Sequence, residues 1–387
     1  MRNYKFVMLV LVYCLAFIGN YMQYQVSAFA LQIMPALGID AVGFSALFLI
    51  PMLAAFFFGV PFGVFGDKWG PKRVVGVLFC FSFAGAVIRT FTLDSFPLQL
   101  VSMFLIGIGM TVLQSNAVKI LSLWFEKRAD TTIGGYFAVS CLGIVVAQAT
   151  GGLFESVTQG YGVAALATGV LVVCWNVFGR DASGELRPAE QDSEVLYAFQ
   201  TAAKKRDVWL VALACGCTLA ATTAYAGFLP QALEAGKGID GLLAGNMAAL
   251  VTVASIFGCV AGPAFAGRFK QLKAYLVVTN VLAALVMFIT WYAASGALLW
   301  TVLFLNGFIT SMTGPILQAM PVHLKGIGSK YAGSASGIIQ TVSLLMAFLL
   351  PIMITSLAGS DYTMNMGLES LCFLASIVPI LLLARSK

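Results

Sequence analysis

Charged side chains are scarce in this sequence. Asp, Glu, Lys and Arg make up 10% of its 387 residues, whereas 60% of the residues are hydrophobic and the mean hydropathy is +0.93. A soluble domain of this length cannot hide so much apolar surface, because the buried fraction of a chain grows slowly with its size. The shortage of charge therefore excludes a soluble fold and predicts an all-α membrane protein.

Other shortages exclude several functions. The chain has one histidine, His323, which lies beside Pro321 and Lys325 and is expected at a surface rather than in a proton relay. Its eight cysteines all fall inside apolar runs, where they are expected to pack rather than to form disulfides or bind metal. No P-loop is present. We therefore predict no enzymatic activity, no cofactor and no metal site.

Twelve apolar runs are long enough to cross a bilayer as helices. They lie near 6–34, 41–65, 73–93, 96–124, 131–154, 161–178, 208–232, 241–266, 274–294, 297–322, 332–357 and 363–384. A single long polar segment, 179–207, separates six runs from six. The predicted organisation is an N-terminal six-helix bundle over 1–178, a cytoplasmic linker over 179–206 and a C-terminal six-helix bundle over 207–387.

The distribution of lysine and arginine predicts the orientation of the chain. Of the 22 basic residues, nineteen fall on one side of the predicted membrane, Lys237 falls on the other, and Arg89 and Lys119 lie within apolar runs. This asymmetry is the positive-inside signature. It predicts a multi-pass protein of the inner (plasma) membrane with both termini in the cytoplasm, and it attributes the net charge of +6 to orientation rather than to nucleic-acid binding. The nineteen are Arg2, Lys5, Lys68, Lys72, Arg73, Lys127, Arg128, Arg180, Arg187, Lys204, Lys205, Arg206, Arg268, Lys270, Lys273, Lys325, Lys330, Arg385 and Lys387.

Glycines repeat between the two halves at a nearly constant offset. Gly59 and Gly63 in span 2 correspond to Gly258 and Gly262 in span 8, and "LIGIG" in span 4 corresponds to "LNGFI" in span 10. Two related six-helix halves with a substrate site near the bilayer midplane are therefore expected. The glycines themselves are expected to let neighbouring helices approach closely.

The turn between spans 2 and 3 concentrates charge in the stretch "GVFGDKWGPKR". Its signature residues are Gly63, Asp67, Lys68, Gly70, Lys72 and Arg73. Together with the twelve spans and the 6+6 division, the stretch resembles the signature loop of the major facilitator superfamily, although Pro71 stands where a base is usual. The resemblance implies alternating access between two bundles, with this loop as a cytoplasmic latch. Asp67 is expected to cap a helix N-terminus or to pair with a base across the interface. Ala266 and Gly267 stand at the corresponding positions of the second half, so the latch is expected in one half only.

Span 5 contains a second glycine pattern, "GGYFAVSCLGIVVAQATGG". Gly134, Gly143, Gly151 and Gly152 have the spacing of the antiporter motif of the same superfamily, but Ala147 and Gln148 replace its usual Gly-Pro pair. Without the proline the helix need not kink. The pattern is compatible either with antiport or with an ordinary glycine-rich packing face.

Ionisable residues inside a membrane span usually mark a substrate or ion path. Arg89 is predicted in the outer half of span 3 and Lys119 toward the inner half of span 4, and each could instead snorkel to the nearer surface. No acidic residue is predicted deep in a span, and Glu369 is assigned to a helix end or outer loop. Buried bases without buried acids favour an anionic substrate, which an arginine can bind through paired hydrogen bonds.

Uncharged polar residues are expected to complete the pocket. In span 1, Asn20, Tyr24 and Ser27 share one helix face, with Tyr21 and Gln25 beside it, so this cluster is expected to face the central cavity. Single polar residues in other spans are further candidates, each of which could equally serve interhelical hydrogen bonding. They are Gln114, Gln148, Asn306, Gln318 and Gln340.

Two further segments, "WFEKRADTTIGGYF" and "KYAGSASGIIQ", resemble the small-anion porters of the superfamily, such as the nitrate/nitrite, cyanate and oxalate/formate carriers. The arginines that nitrate porters place in spans 2 and 8 have no counterpart. The sequence thus predicts a secondary or facilitative transporter of a small organic or inorganic anion, an exchanger rather than a carboxylate-based proton symporter, which acts as a monomer in the bilayer. The alternative is an exporter of hydrophobic or cationic compounds, and a receptor on a transporter scaffold is disfavoured by the short middle loop.

Overall fold

The computed structural model describes residues 4–125, 128–182, 192–269, 271–324 and 327–383. In these residues the regular structure is helical, no strand is present, and twelve helical segments are long and apolar enough to cross a membrane. The predicted all-α fold with twelve spans is confirmed. The helices are α1 Tyr4–Ala28, α2 Ala30–Leu37, α3 Ala41–Trp69, α4 Pro71–Phe91, α5 Phe96–Trp124, α6 Ala129–Thr150, α7 Val157–Phe178, α8 Asp192–Ala203, α9 Arg206–Gln231, α10 Gly241–Ala266, α11 Leu272–Tyr292, α12 Ala297–Thr310, α13 Gly314–Ala319, α14 Gly328–Ala358 and α15 Tyr362–Leu382.

Two of the predicted spans are interrupted. The first breaks at Phe29, where α1 ends and the short α2 begins. The tenth breaks between Thr310 and Gly314, so α12 and α13 are separate helices. Pro315 occupies the first turn of α13, where its missing N–H and fixed φ favour the start of a helix. The polar linker also contains a helix, α8, which the sequence analysis did not predict.

The contacts divide the chain into two compact units. The first unit contains Met1–Ala189 and Leu233–Ala249, and the second contains Glu190–Ala232 and Leu250–Lys387. Helix α10 is therefore divided between the units. The same helix pairs pack in each unit. In the first unit α1 packs on α6 and α7, and α4 packs on α5 and α7. In the second unit α9 packs on α14 and α15, and α11 packs on α12 and α15.

Close packing at corresponding glycines supports the internal repeat. In the first unit a Cβ at Gly107 of α5 would lie 2.7 Å from the Cα atom of Pro51 in α3. In the second, a Cβ at Gly307 of α12 would overlap the carbonyl oxygen of Val251 in α10. Gly107 and Gly307 are 200 residues apart, and so are their partners Pro51 and Val251. The same helix contact is therefore built twice around a glycine, which has no side chain to keep the helices apart.

A second correspondence lies at the start of α3 and of α10, in the repeated tripeptide Gly-Ile-Asp. Gly38 and Gly238 have φ of 61° and 65°, values that favour glycine. Two residues later, Asp40 accepts a hydrogen bond from the N–H of Gly43 at 2.8 Å, and Asp240 accepts one from the N–H of Leu242 at 3.1 Å. Each carboxylate thereby satisfies a free donor at the helix start.

The expectation that Gly59 and Gly63 bring helices together is wrong. A side chain at either position would meet nothing within 4 Å, whereas the close approach in this part of α3 is at Gly66, against the Asn116 amide. Asn116 also donates to the carbonyl oxygen of Phe62 at 3.1 Å. Asn116 and the close approach at Gly66 therefore join α5 to α3 in the second half of α3.

Some of the residues on which the predicted orientation depends lie outside the described residues. They include the linker segment 183–191 and seven of the nineteen basic residues. The seven are Arg2, Lys127, Arg187, Lys270, Lys325, Arg385 and Lys387.

Candidate functional site

Arg89 lies at the centre of a buried cluster in the first unit. It occupies the last turn of α4 and its side chain is 0% exposed. The guanidinium donates to the carbonyl oxygen of Met22 at 2.8 Å and to Oε1 of Gln25 at 2.9 Å, both in α1. The ring of Tyr161, from α7, lies 4.0 Å from the guanidinium carbon in cation–π geometry. Arg89 therefore joins three helices and does not snorkel to a surface.

The groups that contact the charge of Arg89 in the described residues are all neutral. In the described part of the chain no carboxylate forms an ion pair with it, and its Nε–H is buried without a hydrogen-bond partner. A carbonyl oxygen, an amide oxygen and an aromatic face stabilise the cation through dipole and quadrupole interactions. The first unit thus contains a buried positive charge with no counter-ion among its described residues.

The network extends from Arg89 to a cavity. Nε2 of Gln25 donates to the hydroxyl oxygen of Tyr21 at 3.4 Å. Tyr21 in turn lines a cavity of about 440 Å³ within the first unit, whose other walls come from α1, α6, α7 and the turn that follows α6. Phe17, Leu153 and Phe154 make its lining largely apolar. Two hydrogen bonds therefore connect the buried cation to Tyr21, one of the residues that line the cavity.

The other predicted residues of span 1 lie apart from Arg89. Asn20 donates to the carbonyl oxygen of Ala16 in its own helix at 3.0 Å. Tyr24 packs edge-on against Phe48 of α3 with the ring centroids 5.2 Å apart. Ser27 is buried. Of the predicted cluster, Tyr21 and Gln25 are the members that the structure joins to the arginine.

Lys119 does not lie with the predicted substrate residues. Its ammonium forms an ion pair with Asp67, the acid of the signature loop, which joins α5 to α3. Asp67 therefore pairs with a base inside the first unit, and the predicted pairing across the interface stays a prediction. The lysine is 29% exposed and the aspartate 50%, so water screens the pair and its contribution to stability is small.

A different acid caps the helix that follows the signature loop. Gly70 has a φ of 85°, and directly after it Pro71 begins α4. Oδ1 of Asp181, at the start of the linker, accepts a hydrogen bond from the backbone N–H of Lys72 at 2.9 Å. The sequence analysis missed Asp181 because 109 residues separate it from the helix that it caps. Lys68 and Arg73 are exposed.

The remaining glutamines are scattered. Gln114 and Gln318 are exposed and Gln340 is half-buried. Gln148 is buried in α6, where a Cβ at Gly245 of α10 would overlap its carbonyl oxygen. None of the four contributes a side chain to the contacts of Arg89 described above.

The glycine pattern of span 5 forms a packing face. A Cβ at Gly143 would overlap the carbonyl oxygen of Phe17, and one at Gly151 would overlap the Ala28 side chain, so both glycines bring α6 and the turn after it against α1. Gly134, at the other end of the helix, has open space around it. Close helix packing therefore explains Gly143 and Gly151 of the pattern, and these two glycines need no role in antiport.

The second unit contains a buried acid, which corrects the prediction that no carboxylate lies within a span. Glu369 is the eighth residue of α15 and is 1% exposed. Its electrostatic neighbours include Tyr225 of α9, whose hydroxyl also approaches Thr290 and Asn306 without hydrogen-bonding geometry. Asn306 donates through Nδ2 to Oγ1 of Thr290 at 3.2 Å. Of the predicted candidates, Asn306 therefore belongs to this second polar cluster.

The sequence of the chain matches the family model of the Major Facilitator Superfamily over residues 9–351. This match covers most of the chain. The protein belongs to the Major Facilitator Superfamily and is a multi-pass membrane protein of that family of transporters.

Solved structures of the same fold include several transporters. A bacterial homolog of the human lysosomal transporter Spinster, in an inward-facing and unoccupied conformation, superposes with a TM-score of 0.80 at 13% identity, covering 99% of this chain and 96% of that one. The nucleoside transporter NupG gives 0.76 at 14% identity, with 98% of each chain covered. The peptide transporter POT in complex with sulfate gives 0.72 at 14% identity, covering 97% of this chain and 93% of that one.

One curated relative is an uncharacterized protein from Archaeoglobus fulgidus. It is 25% identical over 219 residues, which cover 56% of this chain and 96% of that protein. At these identities the solved structures define the fold.

Proposed function

We propose that this protein carries a small organic or inorganic anion across the inner membrane by alternating access, as an exchanger or a facilitative carrier. The protein works as a monomer with both termini in the cytoplasm. The proposal combines the family membership with the chemistry of the first unit. Its halves are those of the repeat, 1–178 and 207–387, joined by the linker 179–206.

The observation that carries the anion assignment is the unbalanced charge of Arg89. A cation held by Met22, Gln25 and Tyr161, with no carboxylate paired to it among the described residues, leaves a positive potential inside a low-dielectric segment. Gln25 orients its amide between the cation and Tyr21, so the Tyr21 hydroxyl accepts from Gln25 and its own proton can be donated to an anion in the cavity that Tyr21 lines. An anionic group that accepts from this hydroxyl would benefit from the potential of Arg89 without touching it.

The gate of this carrier is the ion pair between Asp67 and Lys119, with Asp181 holding the start of α4 in place. The pair joins α3 to α5 at the end of α3 that carries the signature loop. An exposed pair of this kind exchanges readily with water, which suits a contact that must form and break in each transport cycle. Asp181 accepts a hydrogen bond from the backbone N–H of Lys72 and so stabilises the turn between α3 and α4, next to the ion pair.

A second candidate function is the export of hydrophobic or cationic compounds. It is favoured by two observations, the largely apolar cavity beside Phe17 and Phe154 and the buried carboxylate of Glu369. Aromatic walls bind apolar ligands, and a carboxylate attracts a cation. This function differs from the first in the sign of the substrate charge.

A thermal-shift screen separates the two functions. The purified protein is melted in detergent with formate, oxalate, nitrate and cyanate, and separately with organic cations and amphipathic drugs, because a ligand that binds the folded state raises the melting temperature. The test variant is Arg89→Gln, which removes the positive charge and keeps a polar side chain. The matched control is Arg268→Gln, at an exposed arginine.

Stabilisation by an anion of the wild type and of Arg268→Gln, with an apparent Kd at least about tenfold weaker in Arg89→Gln, supports the anion carrier. Stabilisation by cations or drugs alone, equal in the three proteins, contradicts it and supports the exporter.

A further inference from the structure

The environment of Glu369 lacks a basic partner. The residue is 1% exposed in α15, and in the described part of the chain no lysine or arginine forms an ion pair with it. Its Oε2 atom is buried without a hydrogen-bond partner. An ionised carboxylate in this position would be desolvated and uncompensated, which is among the most costly arrangements inside a membrane segment.

The hydrogen bonds around Glu369 leave two acceptors of the cluster without a donor. Asn306 donates to Thr290, and Thr290 donates to the carbonyl oxygen of Val286 at 2.6 Å, so the Thr290 hydroxyl and one of the two amide hydrogens of Asn306 are already used. Oδ1 of Asn306 remains a buried acceptor with no partner, as does Oε2 of Glu369, and the hydroxyl of Tyr225, a neighbour of both residues, also has no partner. A proton on Glu369 would turn one of the two acceptors into a donor.

Ionisable groups on the neighbouring helices do not supply a counter-charge. Helix α9 contributes Tyr225 and Cys217, and α15 itself contributes Cys372; all three are neutral or anionic groups. Helices α12 and α14 have no ionisable residue at 297–310 and 332–358.

Helix α11 contributes Thr290 to the cluster, next to Tyr225, and the hydroxyl of Thr290 does not ionise. Its ionisable residues lie elsewhere: Lys273 donates to the carbonyl oxygen of Leu383, Tyr275 donates to that of Gly262, and Tyr292 is 61% exposed.

We infer that Glu369 is a proton-binding site within the second unit, formed with Tyr225, Asn306 and Thr290. In this arrangement of the helices it holds its proton as a neutral acid, and it releases the proton when water reaches the cluster. Any part that this proton plays in the transport cycle rests on the proposed transport function. The site itself is a property of the folded second unit and needs no substrate.

Infrared spectroscopy of the purified protein tests the site directly. A protonated carboxylic acid gives a carbonyl stretch that carboxylates and amides lack, so the band is followed from about pH 5 to about pH 9, where buried carboxyls titrate. Glu369→Gln keeps the shape of the side chain and cannot bind the proton. Glu155→Gln, at an exposed acid, is the matched control.

The expected result is a reversible band in the wild type and in Glu155→Gln that is lost in Glu369→Gln. If Glu369→Gln does not fold, Tyr225→Phe serves in its place, since loss of the hydroxyl donor should shift the band. Identical spectra for the wild type and Glu369→Gln, or an unshifted band in Tyr225→Phe when that variant alone is available, would overturn the inference. Loss of the band on adding sodium at constant pH would also overturn it, in favour of a cation site. Because no substrate is added, each outcome is independent of the anion screen.

Discussion

Replacing Gln25 with glutamate gives the sharpest test of the charge balance around Arg89. The amide oxygen lies 2.9 Å from Nη2 of Arg89, and a carboxylate of the same shape would convert the hydrogen bond into an ion pair. The Coulomb attraction is about 4 kcal/mol at about 4 Å and an effective dielectric constant of about 20, and desolvating the new carboxylate costs several kcal/mol. We therefore expect little net change in stability, whereas the local charge falls from one to zero.

The loss of charge has a calculable effect on anion binding. The hydrogen bonds of 2.9 and 3.4 Å through Gln25 place the Tyr21 oxygen within about 8 Å of the guanidinium, and an anion bound to Tyr21 within about 10 Å. At that separation and a dielectric constant of about 20, the lost attraction is about 1.7 kcal/mol, or more than tenfold in Kd. The Kd is measured by calorimetry with the anion that gives the largest thermal shift.

A neutral variant separates charge from shape. Gln25→Met has a similar length, removes the hydrogen bonds and leaves the charge of Arg89 in place. It should lose stability, because a buried donor on a charged group loses its partner, but it should retain more anion affinity than Gln25→Glu. If a folded Gln25→Glu protein binds the anion as tightly as the wild type, the reasoning about Arg89 is refuted.

Two further predictions concern packing and the gate. Gly143→Ala should cost about 1–3 kcal/mol, because the new methyl overlaps the Phe17 carbonyl oxygen, whereas Gly134→Ala, in open space on the same helix, should be neutral or stabilising by about 0.5–1 kcal/mol. Denaturation in detergent measures both, and equal stabilities would contradict the packing described for α6. Asp67→Lys and Lys119→Asp should each impair anion exchange in proteoliposomes, and the double exchange should recover part of it because the pair is restored with its sign reversed; no recovery would mean that the two charges act separately.

Features that depend on local sequence could be predicted, and those that depend on tertiary contact could not. The spans follow from runs of apolar residues, and Arg89 stands out because it interrupts one of them. Its partner Gln25 was found because polar residues in a helix share a face at fixed spacing. By contrast, Asp181 caps a helix 109 residues away, and no spacing rule connects the two.

The misassignment of Glu369 has a specific cause. The first turns of α15 read "YTMNMGLES", and the polar residues among them lower the local hydropathy to that of a loop. The turn before the helix reinforces this interpretation, because Asp361 is a helix cap. Only the helix contacts show that the polar side of this segment is turned inward, where Asn365, Glu369 and Ser370 are all buried.

The internal repeat relates the two buried charges. Gln25 of α1 and Tyr225 of α9 are 200 residues apart, and each is the hydrogen-bonding or electrostatic neighbour of a buried ionisable residue in its own unit. The helices that supply the clusters also correspond, since α1, α4 and α7 surround Arg89 as α9, α11 and α15 surround Glu369.

The two charges themselves occupy different positions of the repeat, because Ile289 lies 200 residues after Arg89 and Gly169 lies 200 residues before Glu369. Each half therefore carries a buried charge of its own, which is costly in either half, and neither side chain has an ion-pair partner within the described residues. Simple packing would favour apolar residues at both positions. Retention of one cation and one acid is therefore better explained by two ligands, an anion for the first unit and a proton for the second. If that is correct, Arg89→Gln should weaken anion binding without altering the infrared band of Glu369, and Glu369→Gln should abolish the band while anion binding at a fixed pH persists.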